Sequence, residues 1–110
     1  MKTYVIDIDG TICNKLCELQ GGDYREARPF VERINKINSL FDEGNTIIYL
    51  TARGMGRSKN NLAHAIQNFY TITEKQLKSW GAKYHHLFLG KPAGDFYIDD
   101  KGVFADDFFA

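Results

Sequence analysis

The sequence predicts a single α/β domain: a three-layer, doubly wound parallel sheet with helices packed on its faces. Two observations predict it. Short apolar, β-branched runs alternate along the chain with stretches that repeat apolar residues at helical spacing. Each apolar run also ends on, or just before, a residue able to handle a phosphate or a cation: Asp7, Thr51, Lys91 and the pair Asp99-Asp100. In open parallel sheets, ligands bind beyond the carboxyl ends of the strands, so these residues are expected at one edge.

The elements follow in order. Residues 3–7, carrying Tyr4-Val5-Ile6, read as the first strand. Residues 10–28 hold Gly10, Gly21, Gly22 and many polar side chains, and read as a loop with one helical turn. Pro29 is expected to open a helix at its first position, where its missing N–H costs little. Phe30, Val31, Ile34, Ile37, Leu40 and Phe41 give that helix its apolar face, and Gly44 ends it. Residues 46–50, Thr-Ile-Ile-Tyr-Leu, are the second strand, and residues 51–57 a glycine-rich basic loop. A helix over 59–70 is expected to turn Leu62, Ala63, Ile66, Phe69 and Tyr70 inward. Thr73 with Gln76 reads as a capping box for a further short helix that Gly81 closes. Residues 87–89 and 96–98 supply strands three and four. The tail from Val103 to Ala110 keeps Phe104, Phe108 and Phe109, and is expected to pack back on the core. Such an arrangement is Rossmann-like.

Composition narrows the function. The chain has 110 residues, which fits one domain over 1–110, and 44% of them are hydrophobic, enough for a real core. The formal net charge is +0, which argues against a protein whose main work is binding nucleic acid or an anionic membrane. No apolar run is long enough to span a bilayer, and Asp7 and Asp9 interrupt the only apolar run near the N-terminus. The expected location is the cytoplasm. Cys13 and Cys17 are the only cysteines, and a reducing compartment disfavours a disulfide. A zinc site from Cys13, Cys17, His85 and His86 has a loose spacing and adjacent histidines, so small core thiols are the preferred reading.

Asp7-Ile8-Asp9-Gly10-Thr11 is the most informative stretch. Two carboxylates stand where a strand gives way to a turn. Buried carboxylates are costly unless a cation, a proton or a reaction compensates them. Gly10 permits the sharp turn.

D-x-D-G-T after strand one, Thr after strand two, Lys after strand three and Asp-Asp after strand four, in that order, resembles the haloacid dehalogenase (HAD) superfamily. The resemblance covers nearly the whole chain. Longer stretches (I-D-I-D-G-T-I-C-N, D-Y-R-E-A-R-P, E-G-N-T-I-I-Y-L-T-A-R-G, K-S-W-G-A-K-Y-H and F-Y-I-D-D-K) resemble small HAD proteins associated with capsular polysaccharide biosynthesis. The resemblance implies a Mg2+-dependent phosphatase. Asp7 would be the nucleophile that forms an aspartyl-phosphate. Asp9 would protonate the leaving oxygen and then activate water, with Thr11 orienting it. Asp7, the Asp9 backbone carbonyl and Asp99 would hold Mg2+, with Asp100 ligating directly or through water. Thr51 and the Ala52 N–H would bind phosphate, Lys91 would neutralise it and hold Asp7 in line, and Arg53 would contact the leaving group or act from behind it.

Cap insertions common in this superfamily have no room here. Residues 12–28 are too short for one, and nothing is inserted after strand three. An open, capless site suits a large substrate or a second subunit of a homo-oligomer as its cover. Tyr24, Arg25, Arg28, Arg53, Arg57 and Lys59 are the expected rim. The finer resemblance leans to a sugar phosphate. Alternatives are a nucleic-acid 3′-phosphate, as in polynucleotide phosphatase domains, and a non-catalytic Mg-dependent phospho-acceptor or binding module. One departure stands out. Only Pro92-Ala93-Gly94-Asp95 separates Lys91 from strand four, where larger relatives carry a helix. Asp95 is a second candidate for the last motif, less favoured because no strand precedes it.

Overall fold

The computed structural model describes residues 1–15 and 23–110. Three parallel strands form an open sheet in the order β1-β2-β3: β1 is Thr3–Ile6, β2 is Thr46–Thr51 and β3 is His86–Leu89. Helix α1, Val31–Asp42, joins β1 to β2, and helix α2, Leu62–Ser79, joins β2 to β3. A short helix, α3, Ala105–Phe108, follows near the end of the chain. Among the described residues no helix is long and apolar enough to cross a membrane.

Strand alternation defines one covered face. Register sets Ile6 beside Tyr49 and Thr51 beside Leu89, and these side chains are buried with Ile47 and Leu87. Ile34 and Ile37 of α1 and Ala65 and Leu77 of α2 enter the same core. Two right-handed crossovers that step in one direction across a sheet lay both helices on one side. The opposite face carries Val5, 59% exposed, and Phe88, 50% exposed, with Ile48 and Leu50 between them. No helix covers it among the described residues.

Three expectations are corrected. First, Pro29 does not start α1. Phe30 N–H donates to the Ile12 carbonyl and Asn14 N–H to the Arg28 carbonyl, which holds 28–30 extended against 12–14, so the helix begins at Val31. Second, the two helices expected over 59–70 and 73–81 are one. Lys59 and Asn60 have φ of 53° and 64°, outside the helical region, and the Asn61 side chain caps the helix by accepting from His64 N–H. Thr73 and Gln76 cap nothing: both are buried on the inward face, and they made a continuous helix look broken. That face carries Ala65, Phe69, Thr73, Gln76 and Leu77, whereas Leu62 and Ile66 are half-exposed.

Third, no fourth strand forms over 96–98. Phe96 is 85% and Ile98 95% exposed, and the Tyr97 hydroxyl donates only as far as the Pro92 carbonyl, 2.5 Å away. The tail does pack back in part. Phe108 meets Tyr4 at 6.1 Å between ring centroids, Lys36 lies 4.6 Å over the Phe108 ring, and Arg33 reaches both Asp106 (2.9 Å) and the Phe109 ring. Phe104 stays exposed.

Candidate active site

The carboxyl ends of β1 and β2 meet in a small pocket of about 140 Å3. The turn after β1 builds its floor. Thr11 N–H and Ile12 N–H both donate to the Ile8 carbonyl, and Gly10, with φ +82°, closes the turn as the sequence predicts. This reversal leaves Asp7 at the mouth and tucks Asp9 beneath.

The two carboxylates sit in different surroundings. Asp7 is partly open: its Oδ2 accepts from the Thr11 hydroxyl at 3.2 Å, and Lys91 Nζ lies 3.6 Å from its Oδ1. Burial pushes its pKa up, against the opposing pull of Lys91, the Ile8 N–H and Thr11. Thr11 thus serves Asp7, not Asp9 as expected.

Asp9 is buried and held on both oxygens. Arg53 Nε donates to Oδ2 at 2.9 Å and Nη2 to Oδ1 at 3.0 Å, a bidentate fork. The Cys13 thiol donates to Oδ1 at 3.4 Å and to the Ile8 carbonyl at 3.7 Å, and its own pKa is pushed up by burial and by Asp9.

Arg53 is 0% exposed and pairs with Asp9, so of the two positions expected for it, at the leaving group or behind the site, it takes the one behind. Its placement explains several residues that sequence reasoning missed. Nη1 donates to the Thr73 hydroxyl at 3.3 Å, and the guanidinium lies 4.9 Å over the Tyr24 ring. Tyr24, expected on the rim, is buried: its hydroxyl accepts from Gly54 N–H and its carbonyl from Gln76 Nε2. Gly54 has φ +79°, and a Cβ there would collide with the Phe69 ring, so the loop after β2 can approach α2 only with glycine. The signal was present as polar residues spaced along an apolar helix, Thr73 and Gln76, which a buried ion needs.

The remaining expected residues divide. Thr51 is buried, and its hydroxyl accepts from Arg53 N–H at 3.1 Å, shaping the loop. Its carbonyl accepts from Lys91 N–H, which ties the two motifs together. Ala52 and Lys91 line the pocket, joined by Lys15 and Tyr97, which the motif reading did not single out. Lys91 Nζ stands 4.4 Å over the Tyr97 ring. On the rim, Arg25 pairs with Asp23 at 2.6 Å and Arg57 lies 4.4 Å over Tyr24.

Asp99 and Asp100 do not reach the pocket. Asp99 Oδ1 accepts from Lys101 N–H and Gly102 N–H, which lowers its pKa, and Asp100 pairs with Lys101 on the surface. Asp95 is exposed too. As a result, no group of three metal-capable side chains gathers among the described residues. Asp7 and the Asp9 carbonyl are present, but the expected third ligand is elsewhere, so one chain alone does not fit the implied Mg2+ site. The imagined zinc set also disperses. Cys13 is engaged with Asp9, the His85 ring nitrogen accepts from Ile47 N–H at the other end of the sheet, and Cys17 lies outside the described residues. A larger hollow of about 600 Å3, lined by Glu74, Lys78 and Tyr84, also opens at that far end.

The fold and site define a small parallel α/β protein with an acidic, lysine-flanked pocket at the carboxyl edge of its sheet. No family model matches the chain, and no curated protein matches it. It is similar to a structural-genomics target from Vibrio cholerae whose crystal structure is solved. The two are 27% identical with a TM-score of 0.86, over 100% of this chain and 89% of that one.

Proposed function

We propose that this protein is a capless HAD-like phosphatase that hydrolyses a phosphomonoester, with a sugar phosphate as the favoured substrate class, through an aspartyl-phosphate on Asp7. The observation that carries this reading is the asymmetry of the carboxylates. Both residues line the pocket, but the Asp7 carboxylate is the more open, flanked by a cation and a hydroxyl, while the Asp9 carboxylate is buried against Arg53.

The chemistry runs from Asp7. Its carboxylate oxygen attacks phosphorus, the P–O bond to the leaving group breaks, and Lys91 compensates charge gathering on the phosphoryl oxygens. Water then attacks the aspartyl-phosphate and frees inorganic phosphate. For Asp9 to carry protons in these steps it must release at least one hydrogen bond of the Arg53 fork, since both its oxygens are engaged. Magnesium dependence belongs to this reading through the family resemblance, and no step is assigned to the ion. A HAD-like, Rossmann-like arrangement over a single domain, 1–110, belongs to it as well; the second helical layer of a doubly wound sheet has no counterpart among the described residues, where the Val5 and Phe88 face is uncovered.

The Arg53 fork also favours a second reading. A locked Asp9 leaves Asp7 as a phospho-acceptor without fast turnover, a binding or signalling module. Phosphate release from sugar phosphates, nucleotides and 3′-phosphorylated oligonucleotides, with Mg2+ and with chelator, separates the two. Metal-dependent multiple turnover supports the phosphatase; phosphorylation that stops at one equivalent supports the module; neither activity overturns both.

A further inference from the structure

The segment around 96–98 and the free edge of β1 are two unsatisfied parts of the same chain. Among the described residues β1 is an edge strand, paired with β2 on one side only, and Val5 on it is exposed. Such an edge is a template for another strand. Phe96-Tyr97-Ile98 is apolar and aromatic, the composition of a buried strand, yet it pairs with nothing in the described structure.

The chain cannot join these two parts within one molecule. A strand laid parallel on the far side of β1 must start near the amino end of the sheet, while β3 finishes at the carboxyl end. The connection would have to cross about three strand spacings, roughly 14 Å, and also descend roughly 10 Å while clearing a sheet face. Parallel crossovers need about a dozen residues or more. Only residues 90–95 are available, and Lys91 N–H is already tied to the Thr51 carbonyl. An antiparallel return onto β3 is within reach, but it would carry Asp99 to the wrong end of the sheet.

We infer that residues 96–98 pair with the β1 edge of a second copy of this chain, so that two chains exchange a strand and each completes the other's site. A parallel strand ending at Ile98 sets the partner's Asp99 level with Asp7, at the carboxyl edge. The exchange rests on the connection length and the two unpaired elements; only the role given to Asp99 rests on the phosphatase reading. Reciprocal exchange closes as a two-fold dimer and leaves neither β1 edge bare. It also accounts for a trimmed connection where a longer one would let each chain close on itself.

Light scattering during size exclusion tests the exchange without any activity. The wild type is expected at twice the 12.6 kDa of one chain. Phe96→Asp with Ile98→Asp should give a folded monomer, because both side chains are exposed in the single chain. A separate variant with about a dozen Gly/Ser residues inserted between Gly94 and Asp95 should also become monomeric, its strand now able to close in cis. A wild type that is monomeric at every concentration, or a dimer that neither variant changes, overturns the exchange. Mixed refolding of Asp7→Asn with an Asp99→Asn/Asp100→Asn double variant adds the site. Half the dimers are then mixed and each holds one intact site, so about a quarter of wild-type phosphate release should return. A dimer that both variants break, from a wild type that releases no phosphate, overturns the phosphatase and keeps the exchange.

Discussion

Two carboxylate pairs of this chain, Asp7 with Asp9 and Asp99 with Asp100, look alike in sequence and sit in opposite circumstances. The first pair is fixed by a turn that two N–H groups close on the Ile8 carbonyl, by a buried arginine and by a lysine from the neighbouring motif. The second pair bonds to its own turn and to Lys101 and faces water. A motif becomes a site only when strand pairing delivers it and buried partners hold it. β1 has a paired strand beside it and a helix above; residues 96–98 have neither.

The comparison breaks most sharply on activity. Asp7→Asn should lower phosphate release at least about 10^3-fold, since it removes the nucleophile of the proposed mechanism. Steady-state assays on sugar phosphates measure this, and an unchanged rate sinks the assignment.

The next effect is on stability and belongs to Asp9. Arg53→Met leaves a carboxylate buried without its fork and should cost about 3–5 kcal/mol in urea unfolding, while adding Asp9→Leu to it should recover most of that loss. A cost below about 1 kcal/mol for Arg53→Met would mean that Asp9 is not held as described. Smaller still, Tyr24→Phe removes the acceptor for Gly54 N–H and should cost about 1–2 kcal/mol, and Thr73→Val about 1 kcal/mol, by the same measurement. Equal costs for these two and for Arg53→Met would erase the distinction between the ion pair and its supports.

The smallest effect separates the two members of the first pair by pH. The folded-state pKa of Asp7 is raised, so Asp7 favours the fold only below the ordinary carboxylate value near 3.8 and weakens it as pH rises through the folded value. Asp7→Asn should therefore be as stable as wild type or slightly more stable at neutral pH, with the difference vanishing in acid. A variant destabilised at neutral pH contradicts the surroundings given for Asp7.

Much of this was legible in the sequence. The three strands, α1, the Gly10 turn and the meeting of Asp7, Asp9 and Lys91 follow from short-range patterns: apolar runs, strand-end residues and a glycine where φ is positive. What escaped was long-range. Thr73 and Gln76 read as a helix cap because a buried guanidinium contributed by another part of the chain is invisible to helical periodicity. Arg53 read as a rim residue because the loop after Thr51 is glycine-rich and basic, whereas its side chain turns inward to Asp9. Strand four was expected from composition alone, and composition does not report whether the connection before it is long enough to place it.

Under the proposed phosphatase reading, Asp7 and not Asp9 takes the phosphoryl group. Intact-mass and peptide mass spectrometry on protein quenched in acid during turnover test it most directly. The account predicts one phosphoryl adduct, mapped to Asp7 and absent from Asp7→Asn. Turnover with no adduct on Asp7, or an adduct on Asp9, would contradict it.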